Sequence, residues 1–150
     1  MAKFKFRLAT LLRLREATRD ERRAELAEAY RADDVLREHL DRLGQELVRL
    51  QAQCRQVVGP GTVDVDRLVE VQRYEVTLRA QQNRLAGQRE AVRAEIDHRR
   101  QALLAADRDV RLLEKLREKQ AWRHHQEEHR REIKQLDEVA GQRATREKVS

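Results

Sequence analysis

One cluster of helix-breaking residues, Val58-Gly59-Pro60-Gly61-Thr62, divides this 150-residue chain into two long uninterrupted stretches. Proline lacks the N–H that a continuing helix needs, and glycine accepts backbone angles that other residues avoid. The cluster therefore predicts the end of one helix near Val57, with Gly59 as its C-terminal stop, and a tight turn after it.

The residues on either side of this turn favour helix. We expect helix one over about residues 5–57, a turn at 58–62, helix two over about 63–141 and a frayed tail at 142–150. Thr62 is the predicted N-cap of helix two, and Asp64 and Asp66 suit the positive end of that helix. These bounds treat residues 1–150 as one coiled-coil unit.

Apolar residues recur at alternating spacings of four and three on both sides of the turn, which predicts a left-handed coiled coil. Before the turn the series is Leu36, Leu40, Leu43, Leu47, Leu50, Cys54 and Val57. After the turn it is Leu68, Val71, Leu78, Leu85, Val92, Ile96, Leu103, Ala106, Val110 and Leu113, and polar residues interrupt it at Glu75, Gln82, Arg89 and Arg99. Between Arg15 and Asp33 the stripe is unclear, although the composition there favours helix.

A short turn between two long helices makes an antiparallel hairpin. With the turn centred on residue 60, residue i lies opposite roughly residue 120 minus i. The predicted fold is all-α, with two long helices forming an antiparallel coiled-coil hairpin. Helix two is the longer, so roughly 25 to 30 of its residues should extend beyond the end of helix one.

The composition excludes several classes of protein. Charged residues make up 40% of the chain and aromatic residues only 3%, which argues against a β-rich fold and against an enzyme with a deep apolar pocket. We therefore expect no enzymatic activity and no cofactor. The single cysteine, Cys54, cannot form an internal disulfide, which agrees with a reducing cytoplasm. We find no apolar run of about 18 residues that would span a membrane, and Arg13 and Arg15 interrupt any apolar core of a signal peptide.

The segment His125-Gln126-Glu127-Glu128-His129 contains the pattern H-x-x-E-H, which occurs in some zinc proteases. Histidines four residues apart on a helix can share a metal ion. A catalytic site also needs a further ligand and an enclosed cavity, and this segment lies on the predicted overhang. We therefore expect a solvated histidine-rich face, including His124, and no metal site.

The N-terminus and Trp122 are candidates for contacts with a partner. Residues 1–23 carry eight positive and three negative side chains, interleaved with apolar residues. This pattern fits a solvated outer face whose apolar side packs on helix two, an acidic protein partner, or a nucleic acid or membrane surface. Trp122 lies beyond the predicted end of the hairpin. It is either an exposed interface anchor or a side chain that folds over the end of helix one near Phe4 and Phe6.

Three segments together resemble the FliJ family of flagellar protein-export components. They are Phe4-x-Phe6-x-Leu8-x-x-Leu11-Leu12-x-Leu14-Arg15, Val110-Arg111-Leu112-Leu113-Glu114-Lys115-Leu116-Arg117-Glu118-Lys119-Gln120, and Glu132-x-Lys134-x-Leu136-Asp137-Glu138-Val139-Ala140. The resemblance covers essentially the whole chain. Ile133 stands where the third motif would have a polar residue.

The resemblance implies a non-enzymatic stalk of the flagellar type III export apparatus, cytoplasmic and peripheral at the inner membrane. The implied partners are the hexameric export ATPase, the export gate membrane protein and export chaperones, with no nucleic acid expected. The residues we predict for partner binding are Phe4, Phe6, Arg13, Arg15, Glu114, Lys115, Arg117, Lys119, Trp122, Lys134, Asp137 and Glu138. The alternatives are the equivalent stalk of a virulence type III secretion system, a structural coiled-coil oligomer, and a nucleic-acid-binding coiled-coil rod.

Overall fold

The computed structural model describes residues 2–59, 61 and 63–150, and two α-helices account for nearly all of them. Helix α1 spans Ala9–Val57 and helix α2 spans Val65–Val149. The two helices pack against each other, and the described residues contain no strand. The predicted fold class, an all-α antiparallel hairpin with an overhanging second helix, is confirmed.

Gly59, Gly61 and Asp64 mark the described part of the chain between the two helices. Gly59 N–H donates to the carbonyl of Gln56 at 3.3 Å, which closes the end of α1. Gly61 has a φ of 155°, which side chains other than glycine rarely allow. The Asp64 carboxylate accepts a hydrogen bond from Arg67 N–H at 3.4 Å, so Asp64 caps α2. The predicted roles of Pro60 and Thr62 lie outside the described residues.

The outer ends of both helices differ from the sequence prediction. Helix α1 begins at Ala9 instead of about residue 5, and residues 2–6 are irregular. The first turn of α1 has no acidic residue to extend it toward the N-terminus. Helix α2 continues to Val149 instead of ending near residue 141. A lone Gly141 costs a helix only about 1 kcal/mol relative to alanine, and no proline follows it.

The contacts group the chain into two compact units, one of Met1–Asp20 with Ala105–Ser150 and the other of Glu21–Leu104. We call these the terminal unit and the turn unit. In the turn unit the core is formed by Leu47, Leu50 and Leu78, with Leu43 and Val71 packed against them. The whole predicted four-three series is buried or half-buried, including the polar interruptions at Glu75, Gln82, Arg89 and Arg99. The predicted seam is therefore the observed one.

Polar side chains link the two helices of the turn unit, and Arg100 of α2 also lies 5.8 Å from the centre of the Tyr30 ring of α1. Tyr74 donates to the Glu46 carboxylate at 2.9 Å, Arg89 pairs with Asp33 at 3.0 Å, and Arg99 donates to the backbone carbonyl of Glu25 at 2.6 Å. Tyr74 is the residue predicted opposite Glu46, whereas Arg89 and Arg99 lie two and four positions beyond the predicted partners. The antiparallel alignment thus follows the prediction within about one helical turn.

The stretch before Asp33, where the sequence has no clear stripe, also has an inner side. Its inner positions are half-buried or buried and are occupied by Arg19, Arg22, Leu26, Ala29 and Asp33. Three of these five side chains are charged, which is why the sequence shows no apolar stripe here. Long arginine side chains supply apolar stems to such a seam while their charged ends reach its edge.

Candidate partner-binding surface

The core of the terminal unit places the N-terminal segment on α2. Leu12, Ala106 and Val110 are buried, and Val110 is the only fully buried side chain of the described residues. Leu8 and Phe6 are half-buried just before α1 begins. The backbone turns into the helix where Ala9 N–H donates to the carbonyl of Phe6 at 3.2 Å. The apolar face of the N-terminus therefore packs on α2, as one of the sequence hypotheses predicted.

Residues 2–6 reach His124, eight positions beyond the residue predicted opposite Phe4. The Phe4 and His124 rings lie 5.7 Å apart between centroids, at an interplanar angle of 42°. The Nε2 of His124 lies 3.1 Å from the carbonyl oxygen of Ala2, which can only accept a hydrogen bond, so His124 donates. Because an irregular segment covers up to about twice the length per residue of a helix, it spans more of α2 than a helical N-terminus would.

His124 was predicted to be solvated, and this was wrong. The side chain is half-buried between the N-terminal segment and Glu128, whose carboxylate lies 4.0 Å from its Nε2. Its neighbours His125 and His129 are exposed. Among residues 2–59, 61 and 63–150 no group of three or more His, Cys, Asp or Glu side chains is arranged to hold a metal ion.

Trp122 borders a shallow groove at this end of the hairpin. The groove is lined by Ala2, Phe4, Ala121, Trp122, His124, His125, Glu128 and Glu132. Trp122 remains 64% exposed, so it stands beside Phe4 without being covered by the N-terminal segment. A large aromatic side chain next to a groove and surrounded by charged groups has the features of an interface anchor.

The predicted charged residues lie on the same unit but do not form one cluster. Arg13, Lys115, Arg117 and Lys119 are exposed, and Glu114 is half-buried. Arg15 lies 3.8 Å from Asp109 on α2, and both side chains are about half exposed. Such a pair contributes little to stability, so Arg15 is available to a partner.

A second shallow groove on α2 combines positive and apolar groups. Leu112 is exposed and is flanked by Arg108, Arg111 and Lys115. Arg108 and Arg111 were not among the predicted binding residues. The sequence signal for Arg108 was its spacing of four from Leu112, which makes the two side chains neighbours on a helix. The spacing of one between Arg111 and Leu112 gave no such signal.

The last predicted residues, Lys134, Asp137 and Glu138, lie on the part of α2 that no other described residue covers. Every residue from His129 to Ser150 is exposed. We call residues 129–150 the overhang. No helix within the described residues has the length and apolar character needed to cross a membrane.

Cys54 occupies the inner seam of the turn unit, where it is half-buried and has no disulfide partner. The surface beside Cys54 is lined by Gln51, Arg55 and Glu75. A small apolar side chain suits this position, which agrees with the predicted packing role of Cys54.

The comparisons with known proteins agree with the three motifs. The family model described as Flagellar FliJ protein matches residues 4–148, which is nearly the whole chain and includes each motif. A search of curated proteins and a search of solved structures give no match. The family comprises non-catalytic components of flagellar protein export. Because this family model covers nearly the whole chain, the chain belongs to the flagellar FliJ protein family.

Proposed function

We propose that this protein is a stalk of the flagellar type III export apparatus that binds the export ATPase ring and promotes its assembly. The observation that carries the proposal is the surface of the terminal unit, where Trp122, Leu112 and Phe4 stand among exposed positive side chains. Apolar area supplies affinity for a ring, and the charges orient the shaft within it.

The terminal unit is the better candidate for the ATPase contact because both ends of the chain contribute to it. The first and second motifs lie on this unit, and the third lies on its overhang. Arg117 and Lys119 are exposed, so a partner reaches both side chains without displacing another part of the hairpin. The proposed cytoplasmic location at the inner membrane follows from binding to the ATPase and to the export gate.

The turn unit is the better candidate for contacts with the gate or with export chaperones. Its outer faces carry many charged residues, and its apolar residues are mostly used in the seam. The match to the flagellar family favours flagellar export over a virulence secretion system. No observation on the described residues favours binding of nucleic acid, so we do not propose it.

The test is stimulation of the flagellar export ATPase by purified variants. Arg117→Glu with Lys119→Glu should reduce stimulation about tenfold or more, because two attractive contacts become repulsive. The matched control is Arg67→Glu with Arg73→Glu, which makes the same change of charge on exposed residues of the turn unit. Asp64→Ala is a poor control because Asp64 caps α2. If only the turn-unit variant loses stimulation, the ATPase contact lies on the turn unit and our proposal is wrong.

A further inference from the structure

The overhang and the residues before it carry a second stripe, in which Gln126 and His129 lie among apolar residues. Its residues alternate in spacing between four and three, and they are Trp122, Gln126, His129, Ile133, Leu136 and Ala140. All of these side chains are exposed, and Leu136 is 68% exposed. The spacing is that of coiled-coil core positions, with Gln126, Ile133 and Ala140 at one core position and Trp122, His129 and Leu136 at the other.

This stripe is not a continuation of the hairpin seam. The seam side of α2 is marked by the buried or half-buried residues Val110, Leu113, Gln120 and His124. At about 100° per residue, the second stripe is centred roughly 150° around the helix from that seam. A helix can therefore cover the second stripe without displacing α1 or the N-terminal segment.

We propose that the second stripe binds the same stripe of a second copy of this chain, in an antiparallel coiled coil. Core layers then pair Ile133 with Leu136 of the second copy and His129 with Ala140 of the second copy. Each layer occurs twice, because a two-fold axis between residues 134 and 135 relates the two chains. The overlap spans about 26 residues, or nearly four heptads, which is a short coiled coil.

Charge complementarity argues for this occupant and for this direction. In the antiparallel arrangement Arg130 flanks the core opposite Asp137 of the second copy, and the symmetry makes this attractive pair twice. In a parallel, in-register arrangement Glu132 would face Asp137 of the second copy, so two like-charge pairs would form. Both carboxylates and the guanidinium are exposed and accessible to these contacts.

The polar members of the stripe keep the association weak. The outer layers pair Gln126 with Arg143 and Trp122 with Glu147 of the second copy, and His129 is only partly apolar. Two strongly apolar layers at the centre are few for a stable dimer. We therefore expect monomer and dimer in exchange, so that another partner of the overhang competes with the second copy.

The experiment is sedimentation equilibrium of the purified full chain over a range of concentrations. The wild type should show a monomer–dimer equilibrium. Asp137→Arg should weaken it about tenfold, because two attractive pairs become repulsive. Arg130→Asp should weaken it to a similar degree.

An equimolar mixture of the two variants should regain wild-type association. In the mixed dimer the new carboxylate of one chain faces the new guanidinium of the other, and the second pair is native.

The control is Glu138→Arg, which makes the same change of charge at the neighbouring position outside the interface and should leave the equilibrium unchanged. Circular dichroism checks that each variant keeps its helical content. A chain that stays monomeric at every concentration overturns the proposal. Stronger association of Asp137→Arg also overturns it, since that result indicates a parallel pair, and so does an equilibrium that neither variant changes.

The proposal does not depend on the ATPase contact. It is measured on the chain alone, whereas the proposed function is measured as stimulation of a second protein. Arg117→Glu with Lys119→Glu should reduce stimulation and leave the dimer intact. Failure of one proposal is therefore distinguishable from failure of the other.

Discussion

The turn unit and the terminal unit use the same helices in different ways. In the turn unit nearly every large apolar side chain of the four-three series faces the other helix, and Arg89, Arg99 and Tyr74 add polar links between the helices. In the terminal unit that pairing stops near His124, and Trp122, Ile133 and Leu136 remain exposed. The comparison teaches that large apolar side chains of α2 remain exposed where its partner within the chain ends.

The largest effect should come from a charge in the core of the turn unit. Leu78 is 3% exposed and belongs to the central cluster, whereas Val76 on the same helix is 68% exposed. Leu78→Asp should cost about 3 to 5 kcal/mol of unfolding free energy, because the carboxylate is buried without a partner. Val76→Asp should change the urea midpoint little. Equal midpoints for the two variants would show that the seam is placed on the wrong face.

The next effect concerns the ion pair between the helices of the turn unit. The side chains of Asp33 and Arg89 are 16% and 24% exposed, whereas the neighbouring pair Asp34–Arg37 is largely exposed. Asp33→Ala should cost about 1 to 3 kcal/mol, since it leaves Arg89 partly buried and unpaired. Asp34→Ala should cost less than about 0.5 kcal/mol.

A double change tests the reason for that loss. Asp33→Leu combined with Arg89→Leu should be at least as stable as the wild type, because no buried charge remains. Chemical denaturation followed by circular dichroism measures all of these variants. A double variant as unstable as Asp33→Ala would indicate that the pair contributes more than the removal of an unpaired charge.

A smaller effect is expected at the N-terminal segment of the terminal unit. Phe4→Ala and His124→Ala should each release residues 2–6, because the ring contact and the bond to Ala2 hold them on α2. We expect a loss of about 1 kcal/mol and faster hydrogen exchange or proteolysis of that segment. His125→Ala is the matched control, since His125 is exposed. Unchanged protection in both of the first variants would contradict the docked arrangement.

The smallest effect is a shift in titration within the turn unit. The hydrogen bond to Glu46, and then its negative charge, raise the pKa of Tyr74 above the ordinary 10.0. The neutral phenol is the form that this bond favours. The hydrogen bond between Tyr74 and Glu46 therefore stabilises the fold fully below the pKa of Tyr74 in the unfolded chain. This stabilisation disappears as the pH rises through the higher pKa of Tyr74 in the folded chain. Glu46→Gln should lower the pKa of Tyr74, measured by phenolate absorbance, and a pKa that does not fall would contradict the contact.

Much of the fold could be read from the sequence because it rests on local signals. The series from Leu36 to Val57 and from Leu68 to Leu113 is confirmed, because every one of its residues is buried or half-buried. The inner positions of Arg22 and Asp33 in the turn unit were missed because their side chains are charged. The binding roles predicted for Arg117, Lys119 and the other surface residues stay predictions, although the structure places all of these residues on the terminal unit.

The sequence by itself determined the two helices, the turn between them and the face along which they pair, because helical periodicity and chain breakers act over a few residues. Only the tertiary structure decided how far the N-terminus reaches along α2. Residues 2–6 precede α1 as an irregular segment that places Phe4 against His124. This arrangement depends on contacts between residues about 120 positions apart. It also decided which side chains remain exposed, since exposure depends on where the partner helix ends and not on the residue type.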